Sequence, residues 1–158
     1  MRRNQVLAAS VLLVVLLASA AAAQEERPLG VFGGISYHFA DGMSEAQSAL
    51  GVSINYWMTR GLGIQGAVCI WDIEDEKVLP LLFGALFRMV SEGQSYYPYF
   101  GGGGGVYMIG LGEDWQETKF GFFVNGGVQF GRFFVEGQYH RIMDVDTNSI
   151  VAVGGIRF

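Results

Sequence analysis

The chain predicts an all-β fold, an eight-stranded antiparallel up-and-down transmembrane β-barrel. Three observations lead there. Apolar residues alternate with small or polar ones over stretches of about ten residues, glycine-rich or acidic turns separate the stretches, and no helical period follows Pro28. A membrane-crossing strand tilted by about 45° needs roughly 9 to 11 residues, so both the length and the number of the stretches suit a small closed barrel.

The first strand is "LGVFGGISYHFA". Leu29, Val31, Ile35, Tyr37 and Phe39 fall on one face, and Phe32, Ser36 and His38 on the other. The second, "ALGVSINYWMT", sets Leu50, Val52, Ile54, Tyr56 and Met58 against Ala49, Ser53, Asn55 and Trp57. The third, "GLGIQGAVCIW", opposes Leu62, Ile64, Val68 and Ile70 to Gln65, Ala67, Cys69 and Trp71. Val78 to Met89 is apolar on both faces, and Pro80 lacks a donor, so a bulge or irregular entry is expected near it. Tyr96 to Ile109 contains the run Gly101 to Gly105, a strand with little side-chain volume that leaves room for Phe123 or Trp71 inside. In the sixth, Phe120, Phe122, Val124, Val128 and Phe130 face away from Lys119, Phe123, Asn125 and Gln129. Phe133 to Ile142 and Ser149 to Phe158 complete the set, and the last runs to the final residue. A terminal apolar strand has to be paired, and pairing with the first strand removes both free edges.

The faces decide the solvent. Ser53, Asn55, Gln65, Asn125, Gln129, Glu136, Gln138 and Arg157 share one side and satisfy one another inside a narrow barrel. The Ile, Val and Phe rows then point outward, as lipid requires and water does not tolerate. Outward Tyr56, Phe130, Phe133 and Phe158 fall near one rim and Tyr37, Phe39, Phe120 and Tyr139 near the other, which makes two aromatic girdles. The opposite orientation, apolar rows inward, would describe a secreted lipid-binding barrel with Asn125, Gln129 and Glu136 in water.

Ahead of the barrel, "MRRNQVLAASVLLVVLLASAAAAQEE" has two arginines, an apolar run too short to span a bilayer, and small residues at Ala21 and Ala23. This reads as a signal peptide, residues 1–23, cleaved before Gln24. A short segment, 24–28, joins it to the barrel at 29–158. Removing two of the ten cations and none of the fifteen acids shifts the net charge from -5 to -7, which disfavours nucleic acid as a partner. Cys69 stands alone, so neither an intramolecular disulfide nor a four-cysteine zinc site is available.

The connections sort into three tight turns, "TRG", "VSEGQS" and "GR", and four longer acidic loops around "ADGMSEAQS", "DIEDEK", "GLGEDWQET" and "MDVDTN". Short turns on one side and longer loops outside is the arrangement of outer-membrane barrels. The ending "VGGIRF", with Ile156 and the terminal Phe158, resembles the assembly signal of that family. The segments "YPYFGGGGGVYM" and "VNGGVQFGRFFVEGQYHRI" resemble the fifth to seventh strands of the small barrels typified by outer membrane proteins A and X, and the resemblance covers Leu29 to Phe158. It implies a monomer in the cell outer membrane, delivered by the barrel assembly machinery and surrounded by outer-membrane lipid and lipopolysaccharide, with a structural or surface-interaction role.

Candidate chemistry is sparse. The five-glycine run lacks the lysine and following helix that phosphate binding needs, and no cofactor motif is present. Glu136 and Arg157 are inward near one end of neighbouring strands and are expected to pair, plugging or gating the lumen, with Lys119 and Arg88 as possible additions to that interior. His38, His140 and Ser149 fall inward near the other rim, beside Asp144 and Asp146. A Ser, a His and a carboxylate can form a lipid hydrolase. The outer-membrane lipid A deacylases carry His-x-Ser on one strand, whereas "YHRI" lacks the serine and "ISYH" reverses the order. The plainer reading of the three residues is a hydrogen-bonded rim. The acidic loops lack the spacing of a calcium loop and read as solvated charge. A side-chain-filled barrel without enzymatic activity is therefore the expectation, with a narrow small-solute pore as the alternative.

Overall fold

The structure is a computed structural model that describes residues 28–39, 46–73, 76–93, 95–111, 114–144 and 148–158. The expected signal peptide, most of the first acidic loop and Asp146 lie outside the described residues. Eight strands follow in chain order: β1 (Leu29–Phe39), β2 (Gln47–Trp57), β3 (Leu62–Ile73), β4 (Glu76–Arg88), β5 (Tyr96–Leu111), β6 (Asp114–Phe130), β7 (Phe133–Ile142) and β8 (Asn148–Arg157). Each pairs antiparallel with its neighbour, and β8 returns to β1, so the sheet closes as a barrel. The closing ladder runs from Gly30 opposite Arg157 to Phe39 opposite Asn148, and Phe158 N donates to Leu29 O at 2.7 Å. The unusual C-terminus is thereby tied to the first strand.

The alternation read from the sequence sets the two surfaces. Leu50, Phe83 and Phe120 stand 61%, 65% and 67% exposed, while Phe32, Trp71 and Phe123 are buried in the lumen. Such large exposed hydrophobics, repeated around the wall at Val31, Phe100, Val124, Val135 and Ile150, form a continuous apolar exterior. At the end where β1 begins and β8 ends, the termini of the barrel, outward rings cluster further: Phe87 stacks on Phe100 with centroids 5.3 Å apart, and Tyr96 meets Phe130 at 6.2 Å.

Three features depart from the sequence expectation. Pro80 causes no shift of register; the β3–β4 ladder is interrupted between the Val68–Leu81 and Trp71–Val78 pairs and resumes in step, while Pro80 lies opposite Tyr107 of β5. A proline removes a donor from one neighbouring ladder but not from the other. The irregularity near Pro80 is thus an interrupted ladder without a bulge, and a register shift falls elsewhere, at Ile109/Gly110 of the β5–β6 ladder. Second, β5 and β6 extend to 16 and 17 residues, so the polar run "EDWQET", expected as loop, is largely strand. The β3–β4 and β5–β6 connections leave two residues each, 74–75 and 112–113, between strands, whereas "VSEGQS" lies in a seven-residue connection, 89–95. Third, the interior is not uniformly polar. Phe32, Leu82, Phe123 and Phe134 form part of an apolar waist between polar layers.

Inward glycines make room for the large rings of the lumen. A Cβ on Gly127 would sit 2.8 Å from the Tyr99 hydroxyl, and one on Gly121 would sit 2.7 Å from the Tyr107 ring. Large rings on one strand thus occupy the volume that glycine leaves on the next. The run Gly101 to Gly105 works the same way: Leu86, Asn125 and Leu82 crowd its inward positions, and Gly103 lies directly opposite the buried Phe123. In the β6–β7 turn Gly131 takes φ 58°, the left-handed first position that suits a two-residue hairpin.

Candidate functional site

The lumen is organised in layers. Nearest the termini lies an open cup of about 840 Å³, lined among others by Trp57, Arg60, Arg88, Tyr97 and Gln129. Arg88 ends β4 pointing inward. Its guanidinium lies over the Trp57 ring at 4.2 Å and near the Tyr97 ring at 5.4 Å, and its Nε donates to the Arg60 carbonyl at 3.1 Å.

Above the cup a charged layer crosses the barrel. The Tyr99 hydroxyl donates to Glu136 Oε2 at 2.7 Å, and Gln138 Nε2 donates to Glu136 Oε1 at 2.6 Å. Arg157 lies over the Phe134 ring at 4.5 Å. In the amide orientation that satisfies both its ends, Asn55 accepts from both terminal nitrogens of Arg157, at 2.8 and 3.0 Å. Gln65 and Asn125 exchange two amide hydrogen bonds, each 3.1 Å long. Asn55, Gln65, Asn125, Glu136, Gln138 and Arg157, with part of the apolar waist, line a cavity of about 10 Å³, at the threshold for a single water.

Glu136 and Arg157 are both inward, as their alternation requires, but they meet through intermediaries. Glu136 lies opposite Val153 on β8, four residues from Arg157. Tyr99 stands between them: it donates to Glu136, and Arg157 lies 6.0 Å from its ring. The expected direct ion pair is not among the described contacts, because register offsets the two side chains along the strands. Lys119 does not join this layer; it pairs with Glu117 at 3.3 Å toward the opposite end. Arg88 belongs to the cup.

The third layer holds the other candidates. Ser149 lies opposite His38 on β1 and opposite His140 on β7, so the three form one row across adjacent strands. His38 Nδ1 and Ser149 Oγ are 2.7 Å apart. His140 is bonded to the Tyr107 hydroxyl through Nδ1 and to Gln138 Oε1 through Nε2, both at 2.9 Å. Trp71 packs edge-on against His140 at 4.8 Å and near His38 at 6.4 Å. Ser149 and His140 are fully buried and face the lumen. No carboxylate joins them among the described residues. Asp144 is exposed in the β7–β8 connection at φ 61°.

Tyr99, Tyr107 and Asn55 are the partners the sequence reading did not assign. Their inward parity was available from the strand pattern, but their pairing with Glu136, His140 and Arg157 depends on register across several strands. Outward Ile156 and exposed Phe158 sit on the wall beside β7 and β1, where the assembly signal was expected.

No family model matches the chain, and no curated protein matches it either. Solved structures do. Neisserial surface protein A aligns with a TM-score of 0.63 at 13% identity, covering 82% of this chain and 96% of that one. The N-terminal β-barrel domain of Pseudomonas aeruginosa OprF aligns at 0.57 with 14% identity over 85% of this chain and 100% of the domain. The outer membrane enzyme PagL aligns at 0.57 with 17% identity over 82% and 99%. At such identities the likeness is one of fold, and one of the matching structures is an enzyme. Closed topology, strand number and apolar exterior agree with it: the chain has the fold of the small eight-stranded outer-membrane barrels, the type of outer membrane proteins A and X.

Proposed function

We propose that this protein is a monomeric barrel of the cell outer membrane with a structural and surface-interaction role and a lumen closed by its own side chains. The observation that carries the reading is the pairing of a large apolar exterior with an interior in which an enclosed void is about 10 Å³. The exterior matches lipid, and a lumen just wide enough for its own side chains disfavours solute flux. Outer-membrane lipid and lipopolysaccharide are its surroundings, and β8 with Ile156 and Phe158 is the segment that the barrel assembly machinery engages. The buried, lumen-facing position of Ser149 favours a structural role for its bond to His38, since a lipid ester outside the wall does not reach that hydroxyl.

The test is refolding into lipid vesicles, followed by circular dichroism, heat-modifiable electrophoretic migration and single-channel recording. Sheet formation that requires lipid or detergent, with no steady conductance, is the expected result. A steady unit conductance would replace the closed lumen with a narrow pore. Folding as a soluble monomer without any amphiphile would reverse the assignment of inside and outside.

A further inference from the structure

We infer that the cup at the terminal end of the barrel is a binding site for a small carboxylate-bearing ligand with an apolar or aromatic arm. Its volume, about 840 Å³, lies within the range of small-molecule sites. Its walls combine the two chemistries such a ligand needs. Trp57, Tyr97 and Val90 supply flat or apolar surface, and Arg60 and Arg88 supply cationic forks that match the geometry of a carboxylate.

The cationic part is organised before any ligand arrives. Arg88 is held by stacking on Trp57, by its approach to Tyr97 and by the bond from its Nε to the Arg60 carbonyl. That last bond couples the two arginines, because it fixes the turn on which Arg60 is carried. A guanidinium already immobilised loses less conformational freedom on binding than one projecting into solvent. The turn itself is braced: Arg88 N donates to Gly61 O at 2.9 Å, and Gly61 N and Leu62 N both donate to Thr59 Oγ1.

Charge distribution favours an anion here. In a chain with fifteen acids, this end carries, among the described residues, Arg60, Arg88, Arg132 and Arg157 against Glu136 and Glu92, the latter in the cup wall, whereas Asp72, Glu76, Asp114, Glu117 and Asp144 outnumber Lys77, Lys119 and Arg141 at the other end. The potential in the cup therefore attracts the charge that the far mouth repels. The charged layer of Glu136, Tyr99, Asn55 and Arg157 lies beyond the cup, so a ligand that enters is retained at the mouth and does not traverse the barrel.

The experiment uses the whole folded chain in zwitterionic micelles and N-acetylphenylalanine as the probe. The readout is the Trp57 indole N–H resonance, identified by its loss in Trp57→Phe. Saturable displacement of that resonance by the acid is expected, with about tenfold weaker binding for N-acetylphenylalaninamide, which lacks the charge, and for acetate, which lacks the arm. Arg88→Gln and Arg60→Gln should each weaken the acid by a similar factor. Arg60 lies in an exposed turn, so its variant keeps the test readable where Arg88→Gln fails to fold. Absence of saturation, equal binding of acid and amide, equal binding of acid and acetate, or parental affinity in the folded arginine variants would each overturn the inference.

Discussion

The two polar layers of the lumen solve the same problem with different chemistry. Near the termini, Glu136 and Arg157 bring opposite charges into the interior and share them through Tyr99, Gln138 and Asn55. Near the other rim, Ser149, His38, His140 and Tyr107 form a hydrogen-bonded row around the Trp71 ring. The charged layer borders an open cup, whereas the histidine layer is packed among Trp71, Phe123 and Tyr107. The difference teaches where a narrow barrel tolerates charge: beside water, and only with several partners for each ion. Farther in, hydrogen bonds and ring contacts replace it.

That comparison ranks the effect of breaking each layer. Glu136→Leu removes the acceptor of two hydrogen bonds and the acid nearest Arg157 in this network, so a loss of about 3 to 5 kcal/mol is expected. Urea unfolding in vesicles, followed by tryptophan fluorescence, measures it. His140→Phe keeps ring packing but strands Tyr107 and Gln138, and about 2 kcal/mol should be lost in the same assay. Ser149→Ala removes one bond to His38 and should cost about 1 kcal/mol. A smaller loss for Glu136→Leu than for His140→Phe would show that the charged layer draws its satisfaction from water in the cup instead of from its protein partners. A Ser149→Ala variant that changes the acyl pattern of surrounding lipid would give the Ser149–His38 bond a chemical role and overturn the structural one.

Much of this architecture is written in a period of two. Alternation at Leu29 to Phe39 or Phe120 to Phe130 assigns inside and outside without any knowledge of partners, because a strand has only two faces. The row of His38, Ser149 and His140 was also accessible, since each lies at a strand end whose position follows from counting. The Glu136–Arg157 contact was not. Both faces were assigned, but the outcome depends on a four-residue offset between β7 and β8 and on Tyr99 arriving from β5. The ends of β5 and β6 were hidden for a related reason: "EDWQET" is polar enough for a loop, and its pairing is decided by the opposite strand.

The sequence by itself therefore determined the number of strands, their facing, the closure of the last on the first and the absence of a disulfide framework. Tertiary structure alone decided register-dependent matters: which polar groups meet, how far the fifth and sixth strands extend, and where a cup opens. The physical reason is range. Side-chain facing is a property of neighbouring residues along one strand, whereas the Tyr99–Glu136 bond and the Trp57–Arg88–Tyr97 stack join residues from different strands, placed by the closure of the whole barrel.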